Sequence, residues 1–158
     1  MKYRLLTHEE LTLLEDELKQ FLIVNGVEGD TWLKLNQNEP EKALKLVEIF
    51  SDNVFQKVYE KTEYLERPSA DECYVFHFGK EKAELIAFKK KDKNDKTFDL
   101  SSSESILDAL QHHLADLDFF KSEKSYTKSR EEEIHEMVQQ GCLHSTKEFW
   151  YSLKSLVK

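Results

Sequence analysis

Glycine and proline are scarce in this sequence, with four Gly and two Pro among 158 residues. That excludes collagen-like repeats and Gly-rich phosphate loops, and it disfavours long irregular connections. Long apolar runs are missing too. No stretch approaches the roughly 18 residues that a membrane helix needs. The N-terminal Met1-Lys-Tyr-Arg-Leu-Leu runs into acid at Glu9 before an apolar stretch of signal-peptide length develops, so a leaderless cytoplasmic protein is expected. In a reducing compartment the two cysteines, Cys73 and Cys142, are expected as free thiols.

Positive charge is in deficit. Lys and Arg number 23 against 31 Asp and Glu, a formal net charge of −8. Non-specific nucleic-acid binding draws on Lys and Arg that displace counterions from phosphate, so this balance argues against it. The acidity is uneven. Residues 1–66 hold 8 basic and 14 acidic groups, residues 67–100 hold 8 and 7, and residues 101–158 hold 7 and 10. Sequence signatures of common chemistries are also absent: there is no Walker loop, Gly-x-Gly-x-x-Gly, Gly-x-Ser-x-Gly elbow, EF-hand loop or paired Cys-x-x-Cys.

What is present is regular patterning. Thr7 followed by Glu10 forms a capping box, and Leu11, Leu14, Leu18 and Leu22 then recur at helical spacing, with Gly26 as a stop. Asp30 is placed to cap a short turn around Trp32, and a core position is expected for that indole. Pro40 opens a helix expected to reach about Lys61, with Leu44, Val47, Phe50 or Ser51, Val54, Phe55 and Val58 as its apolar stripe. From Tyr64 the period changes to two. Tyr64–Glu66, Cys73–Phe78 and Ala83–Phe88 read as strands, with Gly79–Lys82 as a hairpin loop. Tyr74, Phe76 and Phe78 share one face, expected to be the core face, and Cys73, Val75 and His77 share the other.

Lys89–Lys96 holds nothing able to bury and reads as a solvated loop or a lysine-protected strand end, and Phe98 and Leu100 read as a fourth short strand. A helix from the serine run at 101–103 is expected to carry Ile106, Leu107, Leu110, Leu114 and Leu117. A polar break at 121–128 and a helix with Ile134, Met137 and Val138 follow, ended by Gly141. Ser145 and Glu148 suggest a second capping box before Phe149, Trp150, Leu153, Leu156 and Val157. The expected fold class is α+β: an N-terminal helical hairpin (1–61), a short antiparallel β-meander of three or four strands (62–100) and a helical C-terminal third (101–158), all one domain over 1–158.

Five residues could carry chemistry. Glu132 and His135 form a Glu-x-x-His pair on one helical face, which is half of a carboxylate-bridged di-metal site, but no second pair exists. Cys142 and His144 could join a thiol to an imidazole, although the end of a helix disfavours a thiolate. His77 alternates with the strand aromatics and reads as a half-exposed surface histidine. His112 and His113 diverge on a helix, and one of them is expected to face inward. For each, an ordinary structural role outweighs a catalytic one, so no catalytic set, cofactor or metal is expected.

The segment Met1-Lys-Tyr-Arg-Leu-Leu-Thr7, Glu9-Glu10-Leu11, Glu17, Phe21-Leu22, Asn25-Gly26, Pro40-Glu41-Lys42-Ala43 and Phe50-Ser51-Asp52 resembles a family of small bacterial proteins known as a domain of unknown function, most firmly over residues 1–66. The resemblance implies a bacterial cytosolic protein and transfers no activity. The function expected by default is a non-enzymatic protein-interaction or regulatory module, engaging another protein or a second copy of itself. The alternative is a small-ligand binder or enzyme with a pocket between sheet and helices. Nucleic-acid contact through Lys89, Lys90, Lys91, Lys93 and Lys96 ranks below both.

Overall fold

A computed structural model describes residues 1–157 and divides the chain into two compact units, Met1–Val58 and Tyr59–Lys158. The class is α+β, with seven helices and a five-stranded antiparallel sheet among the described residues. None of these helices is long and apolar enough to cross a membrane.

The first unit is helical. The Thr7 capping box forms as expected: the Thr7 hydroxyl accepts from the Glu10 amide, and the Glu10 carboxylate accepts from the Thr7 amide. The first helix is shorter than its leucine spacing suggests. It breaks at Leu14 (φ −105°, ψ 23°) into α1, His8–Leu13, and α2, Glu15–Val24. Gly26 then takes φ +76°, a left-handed conformation that side chains with a Cβ resist, and turns the chain. The turn expected around Trp32 is a full helix, α3, Gly29–Asn38, and Trp32 is half-buried rather than core.

Helix α4, Pro40–Lys61, has the expected bounds, but its buried face is rotated by about one residue. Ala43, Phe50 and Ser51 are buried, whereas Leu44 and Val58 are 48% and 43% exposed. The face centres on Ala43, Val47, Phe50 and Val54, spaced four, three and four apart, which tracks 3.6 residues per turn. The N-terminal segment is strapped along α4. The Lys2 and Tyr3 amides donate to the Asp52 carboxylate at 2.7 and 2.9 Å, the Leu6 amide donates to Ser51 Oγ at 3.1 Å, and the Phe21 ring lies 5.5 Å from Phe50. The residues that carry the N-terminal resemblance therefore hold this unit together.

The second unit is built on the sheet, in the order β4-β3-β2-β1-β5. Strands β1 (Tyr64–Pro68), β2 (Glu72–Phe78) and β3 (Lys82–Lys90) form the expected meander. The fourth strand is not at Phe98 and Leu100. It is β4, Leu117–Ser125, which pairs with β3 along its whole length. Helix α5, Ser103–His112, and a 3₁₀ turn, Leu114–Asp116, end before it. The expected helix had absorbed Leu114 and Leu117 because they extend a spacing of three to four. Leu117 and Phe119 in fact point to one face of a strand, and the polar stretch after them is the rest of that strand. Phe98 and Leu100, 7% and 0% exposed, plug the core from the connection instead. Within Lys89–Lys96, Lys89 and Lys90 close β3 as a lysine-bearing strand end, and one of them is buried after all: Lys90, 5% exposed, donates to the Asp95 carbonyl at 2.8 Å and sits over the Phe98 ring.

Strand alternation assigns the core face differently from the sequence reading. Cys73, Val75, Ile86 and Phe88 face the main core, which Ile106 and Ala109 of α5 and Trp150 and Leu153 of α7 (Lys147–Leu156) complete. Tyr74 and Phe76 point the other way and are only half-buried, although Phe78 beyond them is buried. The small residues face the core because Trp150, Phe88 and Phe98 already fill it, so close packing leaves little room for a second aromatic row. Helix α6, Arg130–Gln139, lies on this second face. Gly141 (φ +105°) stops it, and β5, Leu143–His144, pairs with β1. The cap of α7 is Thr146, whose hydroxyl accepts from the Phe149 amide at 3.2 Å, and not Ser145. Of the adjacent histidines, His113 is the inward one, stacked on Phe98 at 4.5 Å.

Candidate functional site

The second face of the sheet carries an elongated concave surface. Register places Arg67, Tyr74, Ala87 and Phe120 in one row across four strands, and Leu65, Phe76, Leu85 and Ser122 in the next. Helix α6 presents Glu133, Met137 and Gln140 along one side, at the i, i+4 and i+7 spacing of a single helical face. Two cavities result. One, of about 560 Å³, runs from Arg67 and Cys142 to Met137, and the other, of about 320 Å³, runs from Met137 to Lys124 and Glu133. Both are lined by Phe76, Leu85, Met137 and Gln140, so they form one elongated groove with an apolar floor.

The ends of the groove differ in charge. At one end Arg67 stands near the Cys142 thiol. Burial pushes that thiol upward and the Arg67 charge pulls it back only in part, so it is protonated near neutrality. At the other end Glu133 is buried, and its Oε1 accepts from the amide and the hydroxyl of Thr127, both at 3.1 Å. At the open margin Phe120 is 37% exposed, with the Lys89 ammonium 5.3 Å from its ring centre and the Tyr74 ring at 6.4 Å.

Of the five residues singled out from the sequence, only Cys142 lines this groove. His144 is exposed on β5, so the thiol and the imidazole are divided between interior and surface. Glu132 lies in the first turn of α6, its amide capped by Ser129 Oγ at 3.2 Å. His135 Nδ1 lies 2.8 Å from the Tyr59 hydroxyl. His77 is on the core face, stacked on Tyr64 at 4.9 Å with Nδ1 3.3 Å from Glu84 Oε1, rather than on an open surface. Among the described residues, no three His, Cys, Asp or Glu side chains are gathered to hold a metal ion.

The residues that build the groove are ones that motif reasoning passes over. Arg67, Tyr74, Phe76 and Leu85 have no catalytic signature, and Glu133 sits within a run of three glutamates that reads as a solvated helix start. The available signal was the period: Glu133, Met137 and Gln140 share a face that mixes a carboxylate, a thioether and an amide.

A family model with the description family of unknown function (DUF6495) matches residues 1–158, well beyond the N-terminal stretch where the resemblance is firmest. No curated protein and no solved structure matches the chain.

Proposed function

The chain belongs to DUF6495, a family of unknown function, and from that premise we propose a non-enzymatic binding module that takes an extended segment of another protein into the groove between α6 and the sheet. The observation that carries this reading is the shared floor of the two cavities. An elongated trough with Phe76, Leu85 and Met137 along its base and polar groups at both ends suits a strand-like chain, whereas compact metabolites are bound in more enclosed pockets. Beside the groove, β4 is one of the sheet's two edge strands and is exposed from Phe120 to Ser125, which leaves backbone groups open to a partner. The chemistry of the groove favours binding over catalysis: its one thiol is protonated and has no imidazole beside it to serve as a base. Two buried free cysteines fit a reducing compartment, and we read the protein as bacterial and cytoplasmic.

Panning a library of random linear peptides against the full chain tests this reading. Enriched peptides are expected to lose binding to a Met137→Arg variant, which lays a long charged arm across the groove floor while leaving the thermal melt unchanged. A library that yields no binders, or only binders indifferent to Met137→Arg, overturns the reading.

A further inference from the structure

At one end of the groove a buried carboxylate oxygen lacks a donor. Glu133 is 4% exposed and lines the groove beside Phe76, Leu85 and Met137. Its Oε1 is served by Thr127, and the Lys124 ammonium lies 3.5 Å from the same oxygen. Oε2 is buried and has no hydrogen-bond partner. Burial is the largest influence on this carboxyl and pushes it up. The Thr127 donors and the Lys124 charge together outweigh burial, so the group is held below the usual carboxylate value and is ionised near neutrality. An ionised oxygen shut away from water without a donor is costly, and the cost is removed when a donor arrives.

Neighbouring charges do not meet that need. Glu136, on the same helix, is already paired with Lys128. Lys124 engages the oxygen that Thr127 also serves, and its side chain is 62% exposed on the edge strand, free to swing aside.

We propose that Glu133 Oε2 anchors a lysine side chain of the bound partner segment. The methylene stem lies over Phe76, Leu85 and Met137, and the ammonium donates to the free oxygen. The geometry selects lysine over arginine. A guanidinium fork needs two carboxylate oxygens in its plane, and Thr127 already occupies one, whereas an ammonium acts as a point donor to a single oxygen. This inference rests on the groove reading above and gives it a specificity: a basic residue flanked by apolar ones, complementary to an acidic protein.

The test separates the two. The full-length protein is titrated with n-pentylamine and with pentan-1-ol, following the backbone amides of Thr127 and Phe76 by NMR. The amine is expected to bind roughly tenfold or more tightly than the alcohol, since it adds a charge-assisted hydrogen bond to the same apolar burial. Glu133→Gln removes that advantage. If Glu133→Gln does not fold, the side-chain carboxyl carbon resonance of Glu133 in the parent decides the matter: it is expected to shift on titration with the amine and to stay in place with the alcohol. Equal binding of amine and alcohol, or an advantage that survives Glu133→Gln, overturns the anchor and leaves Oε2 to a buried water. Groove-dependent peptides without lysine enrichment overturn the anchor while the groove reading stands. Lysine-bearing peptides that lose affinity with both Met137→Arg and Glu133→Gln support both.

Discussion

Arg130 gives the most direct test of how the second unit is fastened. Its guanidinium, 15% exposed, reaches three carbonyls on two elements: Nη1 donates to Tyr59 O at 2.9 Å, Nη2 to Thr62 O and to Phe78 O at 3.2 Å, and Nε to Phe78 O at 3.3 Å. One side chain thus joins the end of α4, the end of β2 and the start of α6. Arg130→Met keeps most of the stem but removes the guanidinium from these carbonyls, although Tyr59 O keeps the Thr62 amide at 3.2 Å. At about 1 kcal/mol for each carbonyl that loses the guanidinium, the loss is about 3 kcal/mol. For a chain of this size that corresponds to a fall in melting temperature of about 6–12 °C. Arg130→Lys can serve only one carbonyl at a time and should lose about 2 kcal/mol. Urea unfolding followed by circular dichroism measures both, provided the slope with denaturant is unchanged. If Arg130→Met unfolds at the parental midpoint, or Lys proves as good as Arg, the reasoning from the three-way fork is wrong.

Further expectations concern pH, thiol access and packing. The Arg4 side chain, then the Thr7 amide, hold the Glu10 carboxyl down at about 2 from an ordinary 4.5, so its contribution is present above about pH 4.5 and is lost as the pH falls toward 2. Both side chains are over a third exposed, so screening limits the effect to about 1 kcal/mol, and the stability gap between the parent and Glu10→Gln should shrink across that window in urea titrations. Burial pushes the Cys73 thiol to about 12, and native protein at pH 8 should leave it unmodified by iodoacetamide while urea-unfolded protein reacts fully; rapid native labelling would contradict the packing. Leu100→Ala, at a position with no exposure, should cost about 2–5 kcal/mol, and a loss below about 1 kcal/mol would mean that the connection does not plug the core.

Local signals were legible where one residue's chemistry decides the outcome. Thr7 with Glu10, Pro40 and the glycines at 26 and 141 each imposed the boundary their chemistry demands. Tertiary context decided the rest. Leu114 and Leu117 continue a helical spacing, yet pairing along the whole of β3 outweighs that propensity and makes Leu117 the start of a strand. The aromatic face of β2 looked like the core because three large rings, Tyr74, Phe76 and Phe78, share it, against Cys73, Val75 and a histidine on the other. Which face is enclosed depends on where Trp150 and Leu100 come to rest, and they lie far along the chain. The groove was illegible for the same reason. Its floor comes from β2 and β3 with Met137, and its wall from α6, which begins 40 residues after β3 ends, and nothing local to Glu133 announces that one of its oxygens is orphaned.

The strand order has a consequence for synthesis. Strands β1 to β3 join through short hairpins, and β4 extends that meander by pairing with β3, so four of the five strands can assemble in the order in which they are made. The two residues of β5 and helix α7 come last, and α7 brings Trp150 and Leu153, both wholly enclosed in the finished unit. A nascent chain that has emerged only as far as α6 therefore carries a nearly complete sheet with one apolar side covered only in part, by α5. During that interval the unit is open to aggregation and to chaperone capture, and arrival of the final helix closes it.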